Sequence, residues 1–268
     1  MRHDRDGSPQ DLRAEQCLYA DVSEGTGKDE TPAIWPGPVI VPGSSWKTLA
    51  DGGGVDEDEL ERLITAERLR SYTERTLSSG GAMRLYEWNM RAAASVMELT
   101  GIVEVFARNT LDSELRAWAA DRGDAPWFDV APLDGRGRAD LAKARARASR
   151  DDRRDEVHGR VVAELSFGFW RYLVESRYLT ALWTPALHRA FPLGPADSLT
   201  RQREVRRRLQ QLHFVRNRAA HHEPIHARDL QRDHDYALEL LGWISPRAAL
   251  WAAGTTSLRS VLRARPDG

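Results

Sequence analysis

Arginine, asparagine and histidine lie close together in one segment, and side chains of these types can bind an anion and transfer protons. Arg216 and Asn217 are adjacent, and His221 follows four residues after Asn217. A guanidinium group stabilises negative charge, an amide orients a partner, and an imidazole exchanges protons near neutral pH. These three residues are therefore the candidate catalytic residues of the chain.

The segment around them is expected to form a helix that runs from after residue 197 to about residue 222 and is stopped by Pro224. At about 100° per residue, Asn217 and His221 lie on one edge of this helix. Arg216 falls within an apolar face formed by Val205, Leu209, Leu212 and Ala219. Burying an unpaired guanidinium is costly, so Arg216 needs a counter-charge or an incoming anion. The spacing also fits a purely structural interpretation, in which Arg216 is a paired core residue and His221 caps the helix.

A second motif overlaps this end of the helix. His222-Glu223-Pro224-Ile225-His226 matches the H-E-x-x-H pattern of zinc proteases, which holds metal between two histidines one helical turn apart. Pro224 lacks a backbone N–H and clashes with the carbonyl of Ala220, so a continuous helix is not expected here. We therefore predict no metal site and no cofactor. His213, on the same helix, is expected to be solvated.

Apolar residues recur at three- and four-residue steps along most of the chain, which is typical of helices. We predict helices over residues 56–69, 82–122, 139–150, 155–173, 197–222, 229–244 and 247–263, with 82–122 forming two helices or one bent helix. A loop is predicted at residues 125–137, and prolines punctuate the connector before residue 197. The corner at residues 166–170, where Gly168 allows close approach, is predicted to pack in the core rather than to bind a ligand.

The absence of any sustained two-residue alternation makes the predicted fold class all-α, a helical bundle over residues 56–264. A poorly ordered leader is predicted for residues 1–55, which are rich in glycine and proline. Residues 1–60 carry 13 acidic and 5 basic side chains, whereas the rest of the chain carries 27 acidic and 34 basic ones. The leader is therefore acidic and the bundle is basic.

The composition also bears on the cellular compartment. No stretch approaches the roughly 18–20 uninterrupted apolar residues that cross a bilayer, and the charged N-terminus lacks the apolar core of a secretion signal. Cys17 is the single cysteine, which excludes an intramolecular disulfide. We expect a cytoplasmic protein that makes no contact with a membrane.

The spacing Arg216-Asn217-x-x-x-His221 resembles the R-N-x3-H signature of HEPN domains, an all-α superfamily with many metal-independent ribonucleases of bacterial defence and toxin systems. More specifically, the chain is similar to the Abi-like family of phage abortive infection in three blocks that follow the family's order over residues 56–245. The blocks are Leu85-Tyr86-Glu87-Trp88-Asn89 with Val103-Glu104-Val105-Phe106-Ala107-Arg108-Asn109, then Glu164-Leu165-Ser166-Phe167-Gly168-Phe169-Trp170, then Val215-Arg216-Asn217-Arg218-Ala219-Ala220-His221-His222-Glu223.

This resemblance implies an HEPN-like bundle that cleaves RNA of the infected or intoxicated cell. It also implies a homodimer in which the motif helices of two copies face each other. His221 would take a proton from a ribose 2′-OH or give one to the leaving 5′-oxygen, Arg216 would stabilise the scissile phosphate, and Asn217 would orient a partner. An antitoxin or a phage trigger would be a further partner, and the residues identify neither.

Five more residues in the matching blocks are secondary candidates, which would support the site or contact RNA. They are Glu104, Arg108, Asn109, Arg218 and His222. Glu104 and Arg108 are four residues apart, so they are expected to pair across one helical turn. The same spacing fits an ordinary surface ion pair, and both interpretations remain open at this point.

A non-catalytic helical module that binds RNA or protein in a defence or toxin system is the alternative function. A fold can persist after its activity is lost, so an all-α bundle does not by itself imply catalysis. A protein that only binds has no chemical need for Arg216, Asn217 and His221 together. Their joint presence favours the enzyme.

Overall fold

Helices make up the regular secondary structure, as predicted, and no strand occurs in residues 57–76, 78–151 and 153–266, which the computed structural model describes. The predicted leader at residues 1–55 lies outside these ranges. The helices are α1 (Glu57–Ile64), α2 (Ala66–Thr76), α3 (Ser79–Ala120), α4 (Trp127–Val130), α5 (Gly135–Ser149), α6 (His158–Glu164), α7 (Phe167–Leu173), α8 (Ser198–Ala220), α9 (Leu230–Ile244), α10 (Pro246–Thr255) and α11 (Leu258–Arg263).

The long helix α3 is the element around which the others assemble. Its 42 residues form one helix about 63 Å long, which runs through Gly101 without a break. Helices α2, α8, α9 and α11 all pack against it. One buried stripe along α3 makes these contacts, and it includes Leu85, Trp88, Ala92, Val96, Leu99, Val103, Ala107, Leu111 and Leu115.

Helix α3 begins at Ser79, three residues before the predicted start at residue 82. Gly80 and Gly81 lie in the first turn of the helix, and Ser78 is the N-cap that accepts a hydrogen bond from the Gly81 N–H at 3.2 Å. A Cβ added at Gly81 would lie 2.7 Å from Ser78 Oγ and 2.9 Å from Thr76 Cβ. Gly81 therefore allows Thr76 and Ser78 to pack closely against the first turn of α3.

Three other predicted boundaries also differ. The first helical pattern divides into α1 and α2 at Thr65, whose φ of 76° lies in the left-handed region. The predicted loop at residues 125–137 contains α4 and the first turn of α5. The last pattern divides into α10 and α11, because the backbone is extended at Thr256 (φ −67°, ψ 135°). Two short 3-10 turns, Ser176–Tyr178 and Leu187–Ala190, and a π turn, Leu179–Trp183, form the connector before α8.

Several helices begin where side-chain caps predict. Asp197 accepts from the Thr200 N–H at 2.7 Å at the start of α8, and Asp229 accepts from the Arg232 N–H at 2.9 Å at the start of α9. Ser166 caps α7 in the same way. Pro246 is the first residue of α10, where its missing N–H leaves no backbone partner unsatisfied.

The predicted packing corner at residues 166–170 is confirmed. Phe167, Phe169 and Trp170 are each at most 2% exposed. The Trp170 and Phe169 rings lie 6.0 and 6.4 Å from the ring of Trp127 in α4. These aromatic side chains fix the N-terminal end of α7 against the bundle.

Large apolar side chains are also found on the surface of the described chain, among them Phe214 on α8 and Leu250 and Trp251 on α10. None of the described helices combines the length and the apolar character needed to cross a bilayer.

Because α3 lies at the centre of the bundle, shortening one of its buried apolar side chains should lower the free energy of unfolding strongly. Leu111→Ala removes a fully buried side chain, so the free energy of unfolding should fall by about 2–5 kcal/mol. Leu250→Ala makes the same chemical change at a position that is 74% exposed, and it should change that free energy by no more than about 0.5 kcal/mol. Urea unfolding of both variants measures the difference; equal effects would contradict this role of α3.

Candidate active site

The C-terminal half of α8 carries the candidate catalytic residues on a firmly packed helix. Its apolar face is buried against α3 and α9, as the sequence pattern predicts. The side chains of this face are Val205, Leu209, Leu212, Val215 and Ala219. Because this face is fixed, the directions of the intervening polar side chains are fixed with it.

Arg216 is half-buried beside this face and has polar partners. Its Nη1 donates to Asn217 Oδ1 at 3.2 Å. The carboxyl group of Glu104 on α3 lies close enough for Arg216 to lower its pKa. Arg216 is thus held by an amide oxygen and faces an acidic group, as a guanidinium at an apolar face requires.

Glu104 on α3 lies near Arg216 of α8, and Arg108, one turn further along α3, lies near Glu104. Burial raises the pKa of Glu104, while Arg216, Arg108 and the facing Phe167 backbone N–H lower it in part. Within the described chain, Glu104 and Arg108 do not form the direct ion pair that their spacing predicts. The Arg108 Nε is buried without a hydrogen-bond partner. Asn109, in contrast, is exposed to solvent.

His213 was expected to be solvated, and this expectation is wrong. The ring packs edge to face on Phe167 with centroids 5.8 Å apart, and its Nε2 lies 3.3 Å from Asn217 Nδ2. Burial lowers the pKa of His213, and the positive charges of Arg171, Arg216 and Arg136 lower it further. The four-residue spacing of His213 and Asn217 could have predicted their contact on one helix. The packing of His213 on Phe167 of α7 could not be predicted from a local pattern.

His221 lies at the end of α8, where it is the C-cap residue, and its side chain is exposed. In the described chain, no hydrogen bond or ion pair joins this side chain to Arg216 or Asn217. His221 follows Arg216 by five positions, which places the two side chains about 140° apart around the helix axis. The structure therefore places Arg216 and Asn217 together, and it places His221 on the outer surface one turn away.

The turn after α8 breaks the H-E-x-x-H pattern as predicted. The helix ends at Ala220, and His222 follows in the left-handed region with a φ of 55°. Arg218 closes this turn, because it pairs with Glu223 at 3.1 Å and donates to the Pro224 carbonyl at 2.7 Å. The His222 carbonyl accepts from Arg68 of α2. In the residues that the structure describes, no three His, Cys, Asp or Glu side chains cluster as metal ligands would.

The most deeply buried arginine of α8 is Arg208, which the apolar pattern did not identify. It is 5% exposed, its Nε donates to Glu239 at 2.9 Å, and its guanidinium lies over the Trp243 ring at 4.3 Å. Glu204, one turn earlier on α8, also accepts from it. Each of the three guanidinium nitrogens of Arg208 donates to Glu204 or Glu239, so Arg208 joins α8 to α9 rather than facing a ligand.

Parts of the three separated sequence blocks meet at one place in the fold, whereas Asn89 of the first block lies elsewhere on α3 and accepts from the Ile225 N–H. Glu104 and Arg108 come from α3, Phe167 and Gly168 from the start of α7, and Arg216 with its neighbours from α8. A search of protein-family models, of curated proteins and of solved structures finds no match to this chain. The resemblance of the three blocks therefore remains a prediction, and the contacts just described carry the functional argument.

Because Glu104 is partly buried, replacing its charged carboxyl group with a neutral amide should not destabilise the fold. The raised pKa of Glu104 means that the folded state disfavours the ionised carboxyl group, so this destabilisation is present at pH 7.5 and disappears below about pH 4.3, where the group is protonated in both states. Glu104→Gln should therefore leave the free energy of unfolding at pH 7.5 unchanged or higher by up to about 1 kcal/mol. Denaturant unfolding of the parent and of Glu104→Gln, at pH 7.5 and below about pH 4.3, measures this difference in the free energy of unfolding.

The exposed Glu59→Gln variant on α1 is the control, and it should show no such difference between the two pH values. A loss of more than about 1 kcal/mol in Glu104→Gln at pH 7.5 would contradict the account, because it would mean that attraction to Arg216 outweighs the cost of burial.

Proposed function

We propose that this protein is a metal-independent endoribonuclease of phage defence, acting in the cytoplasm by abortive infection. The observation that carries the proposal is the Arg216–Asn217 hydrogen bond beside Glu104 and Arg108, with an exposed histidine one helical turn further along the same helix. An anion-binding pair and a proton-transfer group are the two components that cleavage of RNA without metal requires.

The proposed reaction uses the nucleophile that RNA itself supplies. The 2′-oxygen attacks the adjacent phosphorus, the bond to the 5′-oxygen breaks, and the products carry a 2′,3′-cyclic phosphate and a 5′-hydroxyl end. His221 accepts the 2′-OH proton or donates one to the leaving 5′-oxygen, and Arg216 stabilises charge on the phosphate. DNA lacks the 2′-OH and is not a substrate of this mechanism.

Basic side chains beside the site support RNA as the partner. Arg171 and Arg136 act electrostatically on His213, so they lie near the site. Arg136 and Arg177 are each more than half exposed and lie over the Tyr172 ring. Such arginines offer planar donors to phosphate oxygens.

The nuclease proposal predicts the effect of removing either chemical group. Arg216→Ala and His221→Ala should each lower the cleavage rate of end-labelled RNA in EDTA by about 10²–10⁴-fold, because each loses a group that acts in the transition state. Folding should be retained, since His221 is exposed and Arg216 is only half-buried.

Arg247→Ala, which removes an exposed arginine on α10, is the matched control and should cleave at the parent rate. Cleavage that persists in both site variants would refute the site assignment. Activity that returns only with added zinc would support the H-E-x-x-H interpretation instead.

A homodimer is part of the same proposal, because one copy does not bring His221 to Arg216. Arg216 turns towards α3 while His221 faces outwards, so the two groups can meet between copies only if the outer edge of α8 in one copy docks beside Arg216 of the other. Phe214 lies on that edge, about 20° around the helix from His221, and it is 50% exposed. An exposed aromatic residue of this kind is typical of a protein interface.

Phe214→Glu should therefore disrupt the dimer, because it places a charge within the proposed interface. We expect light scattering after gel filtration to show monomers of the variant and dimers of the parent, with RNA cleavage reduced at least tenfold. Leu250→Glu introduces the same charge at an exposed apolar residue of α10 and should leave both properties unchanged. A parent protein that is monomeric while cleaving RNA would exclude the shared site.

The alternative is a non-catalytic module that binds RNA or protein, and one observation favours it. In the part of the chain that the structure describes, the His221 side chain makes no hydrogen bond or ion pair with Arg216 or Asn217, as a binding surface without catalysis would allow. The cleavage assay separates the two functions. RNA that is retained on the protein but remains intact would support the binding module.

A further inference from the structure

We propose that His213 is the positioning residue of the Arg216–Asn217 pair, and that its neutral imidazole turns the Asn217 carbonyl towards Arg216. This inference rests on the proposed function, since it assigns a role within the same site. It adds a residue that lies outside the R-N-x3-H spacing.

Hydrogen-bond chemistry fixes the orientation of Asn217. The Arg216 guanidinium can only donate, so the atom that faces it at 3.2 Å is the Asn217 carbonyl oxygen. The amide nitrogen of Asn217 then points to His213 Nε2 at 3.3 Å. Because that NH2 group also can only donate, His213 Nε2 must accept. The imidazole is therefore neutral and carries its proton on Nδ1.

The corner at the start of α7 holds the His213 ring in this position. The ring packs against Phe167 with an interplanar angle of 71°. A Cβ added at Gly168 would lie 3.2 Å from His213 Nε2, so the glycine leaves just enough room for the ring. The packing corner thus contributes to the site indirectly, by placing the acceptor that Asn217 needs.

Positive charges surround this acceptor. Arg171 faces it from α7, Arg136 from α5 and Arg216 from α8. Each has an acidic group beside it: Glu175 pairs with Arg171, Asp140 lies 3.9 Å from Arg136, and Glu104 of α3 lies beside Arg216. A proton on Nε2 would turn the acceptor into a donor that faces another donor, and it would add a fourth positive charge. Burial and these three arginines accordingly hold the pKa of His213 below its ordinary value. Protonation would break the link to Asn217 and release its carbonyl from Arg216.

Two substitutions separate positioning from packing. His213→Phe keeps an aromatic ring against Phe167 but has no acceptor, so kcat for RNA should fall about tenfold at pH 7.5 with KM nearly unchanged. His213→Gln supplies an acceptor that does not titrate and that can reach Asn217 across one turn. The kcat of His213→Gln should stay within about threefold of the parent value at pH 7.5. As the pH falls below about 6.5, His213→Gln should retain a larger fraction of its rate than the parent does.

A second measurement on the full chain needs no activity. Nitrogen NMR of the parent should show His213 Nε2 without a proton at pH 7.5, and the side-chain amide signals of Asn217 should move as the ring titrates. Equal kcat values and pH profiles for the parent and His213→Phe would overturn the inference, as would a protonated Nε2 at pH 7.5. If His213→Phe does not fold, the NMR result decides.

The two proposals can fail separately. If the parent does not cleave RNA, the proposed function fails, whereas the NMR titration still tests whether His213 orients Asn217. If the parent cleaves RNA but the Asn217 amide signals are independent of the His213 titration, the nuclease proposal stands and the positioning role is lost.

Discussion

The packing of α8 on the long helix α3 is the constraint on which the site depends. Five apolar side chains of α8 are buried, and an arginine must then lie at the edge of that buried face. A guanidinium cannot remain there without polar partners, because its desolvation is costly. Asn217 and the nearby carboxyl group of Glu104 meet this requirement. The packing of α8 on α3 thus also positions the cluster of Arg216, Asn217 and Glu104.

The surrounding elements add to this cluster in layers. The start of α7 supplies Phe167 and Gly168, which hold His213, and His213 in turn accepts from Asn217. Arginines from α5 and α7 keep the neighbourhood positive. An anion approaching the site therefore meets oriented donors, and only His221 stands apart on the outer edge of α8. This separation is what makes a second copy of the chain necessary in the proposed mechanism.

Local signals made much of the fold predictable, whereas tertiary contacts set the remainder. The starts of α8 and α9 follow from Asp197 and Asp229, because a capping side chain acts within three residues. The sequence pattern left open whether residues 82–122 form two helices or one bent helix. One helix runs through Gly101, because the buried side chains of Leu99 and Val103 on either side of it pack in the core. The site was only partly predictable, since the partner of His213 lies more than 40 residues away on α7. A buried environment of that kind leaves no local pattern.

The central claim is that the RNA supplies its own nucleophile at this site. The most direct test maps a cleavage position in a defined RNA and then replaces the ribose on the 5′ side of that bond with 2′-deoxyribose. The account predicts that cleavage at this bond disappears while other bonds are still cut, and that products of the unmodified RNA carry 2′,3′-cyclic phosphate ends. Continued cutting at the 2′-deoxy position would contradict it, because the proposed attack could not occur there.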